Sequence, residues 1–243
     1  MLDELTLSSG VDIPFSSASL TIHCPSIEEI GRIGEEDFRI GLQFLMFDKN
    51  NLLEEDKIGL ENQSNFQIFM SVMNSFEVAK HKTDSLMVLT LLFPEYKIKI
   101  DKDKILLQME NFSSSINEEN FDEFKEILSQ LFCLSSSDAD DTNPADALAA
   151  KIAEKIKRGK EKRAASKGEN LDKKINIFSQ YLSIIEVGLK IPKTELVKYS
   201  VYQLNESFNR FKLKYDFDLY VKSKLAGAQD LEEVENWMEN IHP

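Results

Sequence analysis

The chain has 243 residues and a formal net charge of −13 at pH 7. This length suits one large domain or two small ones with a sizeable core. Its 42% hydrophobic and 29% charged residues are typical of a folded, soluble protein. The acidic balance argues against a general nucleic-acid binder, because contacts to phosphate groups need an excess of Lys and Arg.

The expected lack of a targeting signal and the presence of only two cysteines favour a cytoplasmic protein. The first ten residues lack a basic region followed by an apolar one, so we expect no secretory signal. No apolar run approaches the roughly 20 residues that a membrane-spanning helix needs. Cys24 and Cys133 are far apart and supply no disulfide framework, which fits a reducing compartment.

The first 45 residues contain a strong helix start. Residues 1–18 have few periodic apolar positions, which predicts a flexible N-terminal arm, and residues 19–24 alternate weakly like a short strand. Residues 25–29, with the sequence PSIEE, are typical of a capping box. The apolar residues that follow recur every three or four positions. They predict one amphipathic helix, or two helices joined near Gly34.

The rest of the first half predicts helices and one β-hairpin. Residues 66–76 and 85–93 are rich in large apolar groups and are predicted to be helical. Residues 96–100 alternate with period two, and residues 105–109 return after a polar turn, which predicts a hairpin. We therefore expect an α+β domain over residues 19–134.

A polar linker and a basic helix are predicted next. Residues 135–144 are small and polar, which is typical of a linker. Residues 145–167 are rich in Ala, Lys and Glu and should be helical. This segment could be an ordinary solvated helix or a docking element for an acidic partner. A third interpretation, binding of single-stranded nucleic acid, is less favoured because the segment has no interleaved aromatic residues to stack on bases.

A C-terminal helical domain is predicted over residues 171–243. Apolar residues recur at alternating spacings of three and four on both sides of Pro192, so two helices could bury each other's stripes as a hairpin. The stripes comprise Ile175, Phe178, Leu182, Ile185 and Leu189, followed by Val201, Leu204, Phe208, Phe211 and Tyr215. The predicted fold class is thus mainly α, with bundle-like helical domains and a small β-hairpin in the N-terminal half.

Catalytic and metal-binding patterns are not found in the sequence. It has no CxxC, HxxxH or HExxH spacing for zinc and no GxSxG nucleophile motif, and its nine glycines are scattered. We therefore expect a protein that is not an enzyme and that holds neither a metal ion nor a cofactor.

Three stretches of the sequence carry a resemblance to a known family. They are CPSIEEI with the following IGEEDF (24–38), ALAAKIAEKIKRGK (147–160), and YSVYQL (199–204) with LAGA (225–228) and ENWM (235–238). Together they resemble the tail assembly chaperones of long-tailed, siphovirus-type bacteriophages of Gram-positive bacteria. The resemblance implies a small, acidic, mostly helical protein of the host cytoplasm, in an infected or lysogenic bacterium.

The resemblance also implies partners. Such a protein would coat the tape measure protein, keep it soluble and help tail-tube subunits polymerise around it. An amphipathic helical client needs apolar grooves on a chaperone whose exterior is polar. The candidate partner-binding residues are a glycine-notched face, Ile30, Gly34, Phe38 and Gly41, and the basic helix residues Lys155, Lys157, Arg158 and Lys160.

Two alternatives belong to other classes. A structural tail component, such as a terminator or connector subunit, would have more β-structure and form stable rings. A regulatory nucleic-acid binder would act through residues 151–167, and its binding would fall steeply with salt. The sequence leaves oligomerisation open.

Overall fold

The computed structural model describes residues 2–49, 62–74, 79–134 and 176–229, together with 231, 234 and 236–238. The chain divides into two compact units: Met1–Asn143 with Ser200–Tyr202, and Pro144–Tyr199 with Gln203–Pro243. The fold is mainly α with two small antiparallel sheets, which confirms the predicted fold class. The predicted linker, 135–144, and the basic helix, 145–167, lie outside the described residues.

The first unit contains six described helices, a short 3₁₀ turn and five strands. The helices are α1 (Glu4–Ser9), α2 (Ile27–Ile33), α3 (Glu35–Leu45), α4 (Asn65–Asn74), α5 (Ala79–Leu92) and α6 (Phe121–Leu131), and the 3₁₀ turn is Ser16–Ala18. The strands are β1 (Ile13–Phe15), β2 (Leu20–Ile22), β3 (Lys97–Ile100), β4 (Ile105–Met109) and β5 (Phe112–Ile116). The second unit adds α7 (Ile177–Leu189), α8 (Lys193–Leu196) and α9 (Val201–Leu225), whose first two residues belong to the first unit. Among the described helices, none is long and apolar enough to cross a membrane.

The N-terminal residues are part of the core and not a flexible arm. Strand β1 pairs antiparallel with β2, with Ile13 opposite Ile22 and Phe15 opposite Leu20. Ile13 and Phe15 are fully buried, and the Phe15 ring centroid lies 5.8 Å from that of Phe124 on α6. Three residues interrupted by a proline give too short an alternation to be recognised as a strand in the sequence.

The predicted hairpin is present, and a third strand extends it. Strands β3 and β4 pair in the expected segments, with Ile100 opposite Ile105. Strand β5 then pairs with β4, placing Ile116 opposite Ile105. The middle of β5 consists of three serines, which lack the β-branched and aromatic side chains that mark strands in a sequence.

The predicted capping box starts α2, and a glycine separates α2 from α3. The Ser26 hydroxyl accepts a hydrogen bond from the Glu29 N–H, and the Glu29 carboxylate accepts one from the Ser26 N–H at 2.8 Å. Gly34 ends α2 with φ of +95°, a conformation that L-residues with a side chain rarely adopt. Of the two arrangements that the sequence allowed, the structure has two helices.

In the second unit, α7 and α9 cross. The rings of Tyr181 and Phe208 stack with centroids 4.0 Å apart and planes 4° from parallel. Gly188 lies against the Phe211 ring so closely that an added Cβ would be 2.4 Å from it. In an antiparallel hairpin, residues that follow Tyr181 would lie beside residues that precede Phe208. Here Gly188, which follows Tyr181, contacts Phe211, which follows Phe208. The two apolar stripes therefore contact each other, but the helices do not form an antiparallel hairpin.

Candidate protein-binding surface

The glycine-notched face is buried within the first unit. Ile30, Phe38 and Gly41 are buried, and Gly34 is partly exposed. Gly41 marks the close approach of α3 to α5, because a Cβ there would lie 2.4 Å from the main-chain oxygen of Asp84. The spacing correctly identified an apolar face with a glycine notch, but the chain's own α5 occupies it. The structure therefore does not present these residues to a partner.

The basic helix residues cannot be placed in the same way. Lys155, Lys157, Arg158 and Lys160 lie outside the described residues. Their role in docking an acidic partner stays a prediction.

Helix α9 presents an apolar stripe that is buried at one end and exposed at the other. Leu204 and Phe208 are buried, whereas Tyr215 and Leu219 are 60% and 53% exposed. Their spacings of four, seven and four residues place all four on one face of the helix. At 1.5 Å per residue, the 25 residues of α9 span about 37 Å and the 13 residues of α7 about 20 Å. Helix α7 crosses α9 at Phe208 and Phe211, before Tyr215, so among the described elements it leaves the later positions of the stripe exposed.

Basic residues surround the exposed end of this stripe. Residues 209–225 contain five basic and two acidic residues, a local charge of +3 on a chain of −13. Lys212 lies three residues before Tyr215, and Lys222 lies three residues after Leu219, so both lie on or beside the same face. We call Tyr215, Leu219, Lys212 and Lys222 the distal α9 surface.

A small groove lies between the middle of α9, the end of α7 and Trp237. The Arg210 guanidinium donates a hydrogen bond to the main-chain oxygen of Trp237 at 2.8 Å. The Lys214 ammonium lies 5.8 Å from the centroid of the Trp237 ring, within range of a cation–π interaction. The groove has a volume of about 290 Å³ and is lined by Leu189, Glu206, Ser207, Arg210, Phe211, Lys214 and Trp237.

His23 and Cys24 have structural surroundings. His23 Nδ1 lies 2.9 Å from Asp12 Oδ1, and His23 Nε2 lies 3.2 Å from Glu29 Oε1, so this histidine connects the loop before β1 to α2. Burial raises the pKa of the Cys24 thiol to about 11, against a smaller lowering by a hydrogen bond with Ser200. A protonated, buried thiol is a poor nucleophile at neutral pH.

Within the described residues, no group of three or more His, Cys, Asp or Glu side chains is arranged to hold a metal ion.

The apolar spacing in the sequence identifies part of the distal α9 surface. Tyr215 ends the stripe that the spacing identified, and Leu219 continues the same spacing by four residues. The stripe was expected to be covered by the preceding helix along its length. The missed signal is the crossing of the two helices, which the spacing alone does not predict and which leaves the later positions exposed.

Comparison with known proteins locates one similarity. Residues 167–242 match the family model described as the YomV second domain, a phage-associated family. No curated protein and no solved structure matches the chain. The matched residues include α7, α8, α9 and Trp237, and so the whole distal α9 surface. The C-terminal part of the chain is thus similar to a phage-associated domain, which agrees with the expectation of a phage protein.

Proposed function

We propose that this protein is a non-enzymatic phage tail assembly chaperone, which binds the tape measure protein in the host cytoplasm and assists tail-tube assembly. The observation that carries the proposal is the exposed apolar stripe of α9, because it lies within the residues that are similar to a phage-associated domain. Exposed apolar surface with a charged border is typical of sites that bind other proteins.

Two further observations support a chaperone over the alternative of a structural tail component. The three stretches that resemble tail assembly chaperones include residues 199–204, which lead into α9. A terminator or connector subunit would have more β-structure, whereas the described residues are mainly helical.

Co-expression tests the proposal directly. The chain is expressed together with the tape measure protein of the same phage, and the soluble fraction of that protein is measured with and without the chain. We expect the tape measure protein to become soluble and to co-purify with the chain.

An unrelated helical protein of similar length serves as the control client, and its solubility should not change. If the tape measure protein stays insoluble and never co-purifies, the proposed function is wrong.

A further inference from the structure

We propose that the distal α9 surface binds an acidic amphipathic helix, with apolar residues at every third or fourth position and Glu or Asp beside them. This inference rests on the proposed function and deepens it, since it specifies the chemistry of the client segment that the protein takes. Protein surfaces that bind such helices contact their apolar residues at spacings of three, four and seven positions.

The geometry of α9 favours a helix as the occupant. Tyr215 and Leu219 continue the line of Phe208, which is already packed against the Tyr181 ring of α7 at 4.0 Å. After Tyr215 the helix extends for ten more residues, about 15 Å at 1.5 Å per residue. A partner helix of about three turns would cover this length and continue the apolar contact that α7 makes with the first part of α9.

The charges select an acidic partner. Asp218, one of the two carboxylates in this half of the helix, is already paired with Lys214 at 2.6 Å. Among the described residues, Lys212 and Lys222 form no ion pair, and they border the exposed stripe at its two ends. Carboxylates on the partner would therefore meet cations at both ends of the stripe, which favours encounter with an acidic helix.

A second copy of the chain is a poorer occupant. If two copies of α9 packed antiparallel about the midpoint between Tyr215 and Leu219, Lys212 of one copy would face Lys222 of the other. A parallel arrangement would bring each lysine close to its own equivalent. Like charges placed together across an interface cost binding energy, so both arrangements are disfavoured.

Peptide binding to the full chain tests the inference. The probe is a fluorescently labelled peptide of about 18 residues, with Leu at heptad positions a and d and Glu at e and g; its matched control has Lys in place of Glu. Fluorescence anisotropy should show the acidic peptide binding at least about tenfold more tightly than the basic one, with an affinity that falls as salt rises. The double variant K212E/K222E should reverse this preference.

Matched variants distinguish binding at the distal α9 surface from nonspecific apolar binding. Leu219→Ser should weaken binding of the acidic peptide about tenfold, because it removes an apolar side chain that the bound peptide would bury. Leu5→Ser is the control, since Leu5 is 74% exposed in the first unit and should not matter. Circular dichroism should show the same helix content in both variants.

Several results would overturn the inference. They are equal binding of both peptides, unchanged binding by Leu219→Ser, or a dimer in sedimentation that Leu219→Ser converts to a monomer. If Leu219→Ser still solubilises the tape measure protein, the client binds elsewhere and only this inference fails. If the acidic peptide binds as expected but the tape measure protein does not, only the proposed function fails.

Discussion

Two glycines in neighbouring helices of the first unit have opposite surroundings. A Cβ at Gly41 would lie 2.4 Å from a main-chain oxygen and 2.8 Å from the Val88 side chain, both on α5. A Cβ at Gly31 would meet nothing within 4 Å. Main-chain atoms cannot turn aside as a flexible side chain can, so the two helices would have to separate to admit a methyl group at Gly41.

We therefore expect Gly41→Ala to lower the free energy of unfolding by about 1–3 kcal/mol, the usual cost of overpacking a core. Gly31→Ala should raise it by roughly 0.5–1 kcal/mol, because alanine loses less conformational freedom in a helix. Urea denaturation followed by circular dichroism measures both changes. Equal stability of the two variants would show that α3 and α5 do not approach as described.

At the scale of single elements, the capping box makes α2 sensitive to acid. Burial alone would raise the pKa of Glu29, but hydrogen bonds from the Ser26 N–H and hydroxyl, together with His23, lower it below 4.5. The folded protein therefore holds the proton on Glu29 less tightly than the unfolded chain does. The resulting stability is present above pH 4.5 and is lost as pH falls through the lower, folded pKa.

Glu29→Gln keeps the side chain's shape and removes its charge. We expect it to lower the free energy of unfolding at pH 7 by about 1 kcal/mol, and the difference from the natural chain should shrink below pH 4.5. Urea denaturation across pH 3–7 measures this. Glu28→Gln is the control, because Glu28 forms an exposed ion pair with Arg32 and should change stability less. A difference between Glu29→Gln and the natural chain that stays constant with pH would contradict this assignment.

Elements with a strong local pattern could be predicted, and those that depend on distant pairing could not. The α2 capping box and the β3–β4 hairpin are encoded within a few consecutive residues, and both are present. Strand β1 contains a proline and β5 contains three serines. Each becomes a strand because a neighbouring strand offers it hydrogen bonds and a buried face, which short segments do not reveal alone.

The difference between local patterns and distant packing also explains which part of the candidate site could be predicted. Spacing showed that Phe38 and Gly41 share an apolar face and that Tyr215 continues an apolar stripe, but not which face would be covered. Coverage depends on the position of other helices: α5 packs on Gly41, and α7 crosses α9 at Phe208 and Phe211, before Tyr215. The buried face was therefore mistaken for the exposed one.

At the scale of the whole molecule, the chain returns to its first unit long after leaving it. Ser200–Tyr202 belongs with the first unit, although the residues on both sides of it belong to the second. Ser200 forms an antiparallel bridge with Ser26, directly before α2, and a hydrogen bond with the Cys24 thiol. Val201 and Tyr202 are buried. The first unit is therefore completed by a segment more than 170 residues away from Ser26 in the sequence.

This return predicts that a substitution late in the chain weakens the first unit. Tyr202→Ala removes a large buried side chain, so we expect a loss of roughly 3 kcal/mol, within the range for truncating a core aromatic. Hydrogen exchange measured by mass spectrometry should become faster in peptides covering β2 and α2, because local protection follows the stability of the unit that contains it. Tyr215→Ala is the matched control: it removes the same side chain from a position that is 60% exposed, and it should leave those peptides unchanged. If Tyr202→Ala speeds exchange only in α9, the Ser200–Tyr202 segment does not support the first unit, and residues 1–143 must be stable without it.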